Sequence, residues 1–93
     1  MKYRFQDGIV YTKIAKVHLL VATRKAWDRY PAIKEVNALQ GTFCEGISRG
    51  MEEEEIVQAI LLPERMSRDS VRKRLSVFIH KMLDERYIVP EEE

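Results

Sequence analysis

The stretch Thr12-Lys13-Ile14-Ala15-Lys16-Val17-His18-Leu19-Leu20-Val21-Ala22-Thr23-Arg24-Lys25-Ala26-Trp27-Asp28-Arg29 sets the class of this chain, since a helix here makes the domain mainly α. Ile14, Val17, Leu20, Val21 and Trp27, with Ala22 and Ala26 between them, recur at three- and four-residue spacing and form one apolar stripe. Lys13, Lys16, Arg24, Lys25 and Asp28 fall mostly outside it. The spacing predicts a helix over 12–29, with a stripe long enough to serve dimerisation. Pro31 ends it, and with its missing N–H it suits the first position of a second helix. That helix is expected to run to about Ser48 on Ile33, Val36, Leu39 or Gln40, Phe43 and Ile47. Gly41 and Gly46 weaken it, and Gly50 supplies a C-terminal stop.

Upstream, Tyr3 and Phe5 alternate with Lys2, Arg4 and Gln6, then Asp7-Gly8 precedes Ile9-Val10-Tyr11. Residues 1–11 read either as a strand or hairpin turning at Asp7-Gly8, or with Asp7 as the N-cap of the following helix. Downstream, a short helix is expected at about 52–62. Glu52 to Glu55 favour the positive end of its dipole, and Ile56, Val57, Ile60 and Leu61 form its buried face. After Pro63, Ser67 is the best N-cap in the chain and opens a fourth helix over about 68–85. Tyr87-Ile88-Val89 reads as a short strand, and residues 90–93 as an acidic tail. If a small sheet exists, it joins the two termini.

The 93 residues suit a single domain, and 45% hydrophobic content supports a core. With 33% charged residues, four Gly and three Pro, neither a disordered nor a collagenous class fits. One cysteine excludes an internal disulfide framework, and with two histidines it leaves too few ligands for a structural zinc site. No signal-peptide or membrane-spanning pattern is visible, so a cytoplasmic domain without membrane attachment is expected. The net charge of +1 hides an asymmetry. Residues 1–50 carry nine basic and four acidic side chains, whereas residues 51–93 carry seven and eleven. Such blocks create a directional field despite a near-zero total.

On a helical wheel, Val71, Leu75, Phe78, Ile79, Met82 and Leu83 form the buried face of residues 68–85. Asp69, Ser70, Lys73, Ser76 and His80 point the other way, with Arg72 and Arg74 flanking the stripe. The front of this helix therefore shows water a basic, hydroxyl-bearing surface of the kind that enters a major groove. Gly50-Met51-Glu52-Glu53-Glu54-Glu55-Ile56-Val57-Gln58-Ala59-Ile60 looks like a positioning helix. Ser67-Arg68-Asp69-Ser70-Val71-Arg72-Lys73-Arg74-Leu75 looks like the start of a recognition helix, and Met82 to Val89 like its close and the entry to a wing. Over about residues 50–89 the chain resembles the helix-turn-helix and winged-helix DNA-binding superfamily, in particular Lrp/AsnC-type regulators. Two features depart from that pattern. The turn Leu62-Pro63-Glu64-Arg65-Met66 is long and lacks a glycine, and only four residues follow Val89.

These features together predict a mainly α domain: a three-helix unit over 31–89, an extra helix at 12–29, and a small terminal sheet. The expected function is sequence-specific binding of double-stranded DNA by a homodimeric transcriptional regulator. Ser67, Arg68, Ser70 and Lys73 would make base-edge or first-turn phosphate contacts, with Arg65, Arg72 and Arg74 on the backbone. The alternative is a helical protein-interaction module or inhibitor that binds a protein partner. No catalytic constellation, metal set, cofactor motif or small-molecule site is recognisable. His18 and His80 lack triad or ligand spacing, and Cys44 reads as a core residue or as one half of an intersubunit disulfide.

Overall fold

The computed structural model describes residues 1–60 and 66–91. Its elements run β1 (Tyr3–Phe5), β2 (Ile9–Ile14), β3 (Val17–Ala22), a 3-10 turn (Arg24–Ala26), β4 (Ile33–Val36), α1 (Ala38–Ser48), α2 (Glu53–Ala59), α3 (Arg68–Asp84) and β5 (Ile88–Pro90). The strands form two antiparallel sheets, one of β1 and β5 and one in the order β2-β3-β4. The domain is therefore α+β, which corrects the mainly helical expectation.

The largest correction falls on residues 12–29, which form no long helix. They make most of a β-hairpin in which Ile9 to Ile14 pair with Ala22 to Val17. Ile14 opposes Val17, so only Ala15 and Lys16 connect the strands, with Ala15 at φ 56°. No Gly, Asn or Asp announces this turn, although a left-handed residue is what it requires. A second reason is the outer face of the sheet. Ile9, Leu20, Ala22 and Val36 point into the core, while Val10, Ile14, Val17 and Ile33 are apolar yet exposed. With hydrophobic residues on both faces, the period-two contrast of a strand is lost and a three-and-four spacing emerges by coincidence. The helical dimerisation element expected at 12–29 does not exist.

The second helix also starts later than Pro31. Asn37 Oδ1 accepts the Gln40 N–H at 2.8 Å, and Gln40 Oε1 accepts the Asn37 N–H at 3.2 Å. This reciprocal capping box opens α1 at Ala38 and leaves Ile33–Val36 free to pair with β3. Asp7-Gly8 does not close a hairpin either. Gly8, at φ 88°, carries the chain from one sheet to the other, and its carbonyl accepts the Thr23 N–H and hydroxyl at 2.7 and 2.9 Å. β1 pairs with β5, Arg4 opposite Val89, which is the small sheet of the two termini that the sequence led one to expect.

The three helices cover the inner faces of the sheets. Phe43, Cys44 and Ile47 of α1, Ile56 and Val57 of α2, and Val71, Leu75, Phe78, Ile79 and Met82 of α3 meet Tyr3, Leu20, Tyr87 and Ile88 in one core. α1 lies close on the three-stranded sheet. A Cβ on Gly41 would fall 2.0 Å from His18 Nδ1, whose ring is held by the Tyr11 hydroxyl at 2.7 Å. No described helix is long and apolar enough to cross a membrane.

Candidate functional site

α3 begins where the sequence indicates, with the Ser67 hydroxyl accepting the Ser70 N–H at 3.1 Å. Its first turns are occupied by contacts within the molecule. Arg68 Nη1 donates to the carbonyls of Val57 and Ile60 at 2.7 and 2.6 Å, satisfying two acceptors at the end of α2. Arg72 donates to both carboxylate oxygens of Glu54 at 3.1 and 2.7 Å and to Asp69 at 2.6 Å. This fork holds the Glu54 carboxyl well below its usual range, at about 2, with Gln58 donating a further bond. Arg68 and Arg72 thus tether α2 to α3, and the Ser67 hydroxyl is used as a cap. Arg65 lies outside the described residues.

Lys73 and Arg74 are placed differently. With Val77, Phe78 and Lys81 they form one wall of a cavity of about 290 Å³, whose other wall is Asn37, Leu39, Gln40 and Phe43. The buried rings of Phe43 and Phe78 make its floor, 5.7 Å apart at a tilt of 46°. Val77 stands on α3 with 69% of its surface exposed. An apolar floor beneath an exposed valine, rimmed by cations, has the make-up of a ligand-binding groove.

The cavity opens beside an unpaired strand edge. β4 is terminal in its sheet. The Ala22 N–H donates to the Ala32 carbonyl at 2.9 Å, which fixes the phase of the β3–β4 ladder. By alternation, Lys34 and Val36 direct their backbone groups toward β3, whereas Ile33 and Glu35 direct theirs outward. No backbone hydrogen bond to another element engages Ile33 or Glu35 among the described residues. Lys34 meets Glu85 near the end of α3 at 2.6 Å, while Asn37, just past β4, shares the cavity with the middle of that helix. The groove therefore lies between α1 and α3, and the end of β4 meets its mouth at Asn37.

Sequence reasoning missed this edge because Ile33 and Val36 also fit a helical stripe. The usable signal was Asn37-x-x-Gln40, a capping box that excludes the preceding residues from α1. Elsewhere, His80 Nδ1 bonds the Ser76 carbonyl within α3. Cys44 is fully buried, and burial pushes its thiol up to about 12, so it is a core residue and not a surface thiol.

No family model matches the chain, and no curated protein matches it. Two solved structures are similar in fold. TbiB1 in complex with the TbiA(beta) leader peptide aligns with a TM-score of 0.74 at 18% identity, covering 97% of this chain and 99% of that one. Lasso peptide synthetase B1 complexed with the leader peptide aligns at 0.75 and 10% identity, covering 97% and 100%. These likenesses replace the resemblance to Lrp/AsnC-type winged-helix regulators. They also overturn the expected role as a transcriptional regulator with duplex DNA as partner. The physical reason for that error is local. A helical wheel counts basic side chains on a face, but it does not register that Arg68 and Arg72 are already bound to α2.

Proposed function

We propose that this protein binds a peptide, of the leader-peptide kind held by the two similar structures, as an added strand on β4. The observation that carries this is an apolar groove whose mouth adjoins the end of an open edge strand, in a fold that aligns almost end to end with both leader-peptide-bound chains. The outward N–H and C=O groups of Ile33 and Glu35 supply main-chain hydrogen bonds that any extended peptide can use. Side chains of the added strand that point inward then enter the groove above Phe43 and Phe78, where apolar anchors exclude water. In this reading the chain is a binding module rather than a catalyst. It belongs to the protein-interaction class that the sequence offered as the alternative, with a peptide as the partner.

The test is selection of a random linear-peptide library against the immobilised protein, followed by amide NMR of a selected peptide's complex. Perturbation centred on Ile33, Glu35 and the α3 residues around Val77 is expected. Glu35→Pro removes an outward N–H while leaving the β3 ladder intact, so it should weaken binding by about tenfold without unfolding the domain. Selected peptides that leave the β4 amides unmoved, or that bind the Glu35→Pro variant unchanged, would sink the strand-addition reading.

A further inference from the structure

The walls of the groove carry a charge pattern that goes beyond a generic peptide site. Lys73, Arg74 and Lys81 all line it, and none has a salt-bridge partner among the described residues. Some cations of the same molecule are paired: Lys34 is held by Glu85, Arg49 by Glu45, and Arg72 by Glu54 and Asp69. Others away from the groove, such as Lys13, Lys16 and Arg29, have no such partner among the described residues. It is their position together on one apolar groove that sets Lys73, Arg74 and Lys81 apart. Lys73, Val77 and Lys81 follow one another at four-residue intervals, so they form a single row along α3, a valine between two ammonium groups.

We propose that the groove selects extended peptides bearing two acidic side chains four residues apart with an apolar side chain midway. This rests on the strand-addition reading and adds the chemistry of the ligand to it. The spacing follows from two repeats. Eight helical residues separate Lys73 from Lys81 by about 12 Å of rise. Four residues of a strand advance about 13 Å, and positions i, i+2 and i+4 share one face. A carboxylate at i and another at i+4 therefore reach the two lysines while the side chain at i+2 lies over Val77 and the aromatic floor. Arg74 supplies a further donor toward the same rim. Glu35 adds a register signal from the opposite face of β4, where an acidic side chain on the added strand would meet a like charge.

Three labelled peptides in one neutral, β-prone host sequence test this by fluorescence anisotropy. One carries Glu-x-Leu-x-Glu, one Gln-x-Leu-x-Gln, and one x-Glu-Leu-Glu-x, which has the charge of the first but turns its carboxylates to the outer face. The first should bind roughly fivefold tighter than either of the others, as two partly exposed ion pairs allow. Lys73→Gln/Lys81→Gln should abolish that preference, and Lys73→Glu/Lys81→Glu should transfer it to a Lys-x-Leu-x-Lys peptide. Both variants change only exposed side chains, and circular dichroism verifies their fold. Equal affinity for all three peptides, with the Ile33 and Glu35 amides still perturbed, overturns the acidic pattern and leaves strand addition standing. If no peptide of the series moves those amides, both fall together.

Discussion

Ala15 shows how much of this fold rests on residues that do not advertise their role. It occupies the left-handed region at φ 56° in the two-residue connection between β2 and β3. An L-residue there costs about 1–2 kcal/mol, part of which glycine would return as unfolded-state entropy. Ala15→Gly is therefore expected to stabilise the domain by about 0.5–1 kcal/mol, seen as a higher urea midpoint with an unchanged slope. Gly41 represents the opposite case. Its glycine reads in the sequence as a weak spot in a helix, but the position is small because His18 lies against it. Neither role was legible in the sequence. Both depend on which element passes nearby, and a neighbour brought in by folding leaves no mark on the local pattern.

The pairing of α2 with α3 is the clearest example at the scale of elements. α2 spans only seven residues, too few to hold itself as a helix, and it is fastened by Glu54 to Arg72 and by Arg68 to its terminal carbonyls. The Glu54 carboxyl is depressed from 4.5 to about 2, so its contribution to stability is present above pH 4.5 and is lost as pH falls toward about 2. The stability difference between the wild type and Glu54→Gln should shrink over that window in acid denaturation series. A constant difference from pH 5 to pH 2 would show that the carboxylate form is not what matters. Helices α2 and α3 were legible from the sequence because their apolar positions face a single core and their N-termini carry Glu and Ser caps. The terminal pair of β1 and β5 was legible as well, from the alternation at Tyr3 and Phe5 and the run Tyr87-Ile88-Val89, but the strands of the three-stranded sheet were not. An apolar outer face on the sheet removed the alternation that would have identified them.

For the molecule as a whole, the strand addition proposed above would complete the three-stranded sheet with a ligand strand. A peptide that binds only the folded state at a hundred times its Kd adds about 2.7 kcal/mol of stability. In a domain of this size that corresponds to a rise in Tm of roughly 10–20 °C, and the Glu35→Pro variant should show much less. A thermal melt at increasing peptide concentration measures this directly. An unpaired edge is also an aggregation hazard. Lys34 and Glu35 on β4 add charge there, which opposes unspecific pairing while leaving the backbone groups available.

By itself the sequence determined the buried face and Ser67 cap of α3, the acidic start of α2, the small sheet of the two termini, and the presence of exposed basic side chains on α3. These follow from local spacing and from chemistry within one turn of helix. Tertiary structure alone decided that residues 12–29 are a hairpin, that Ile33–Val36 form an edge strand, and that Arg68 and Arg72 are internal ties. It also decided that Lys73, Arg74 and Lys81 rim a groove. The reason is physical: a strand acquires its faces from what packs on each side, and a charge acquires its role from the partner within reach. Both are settled by residues distant in the chain, as Ala22 meeting Ala32 and Glu54 meeting Arg72 show.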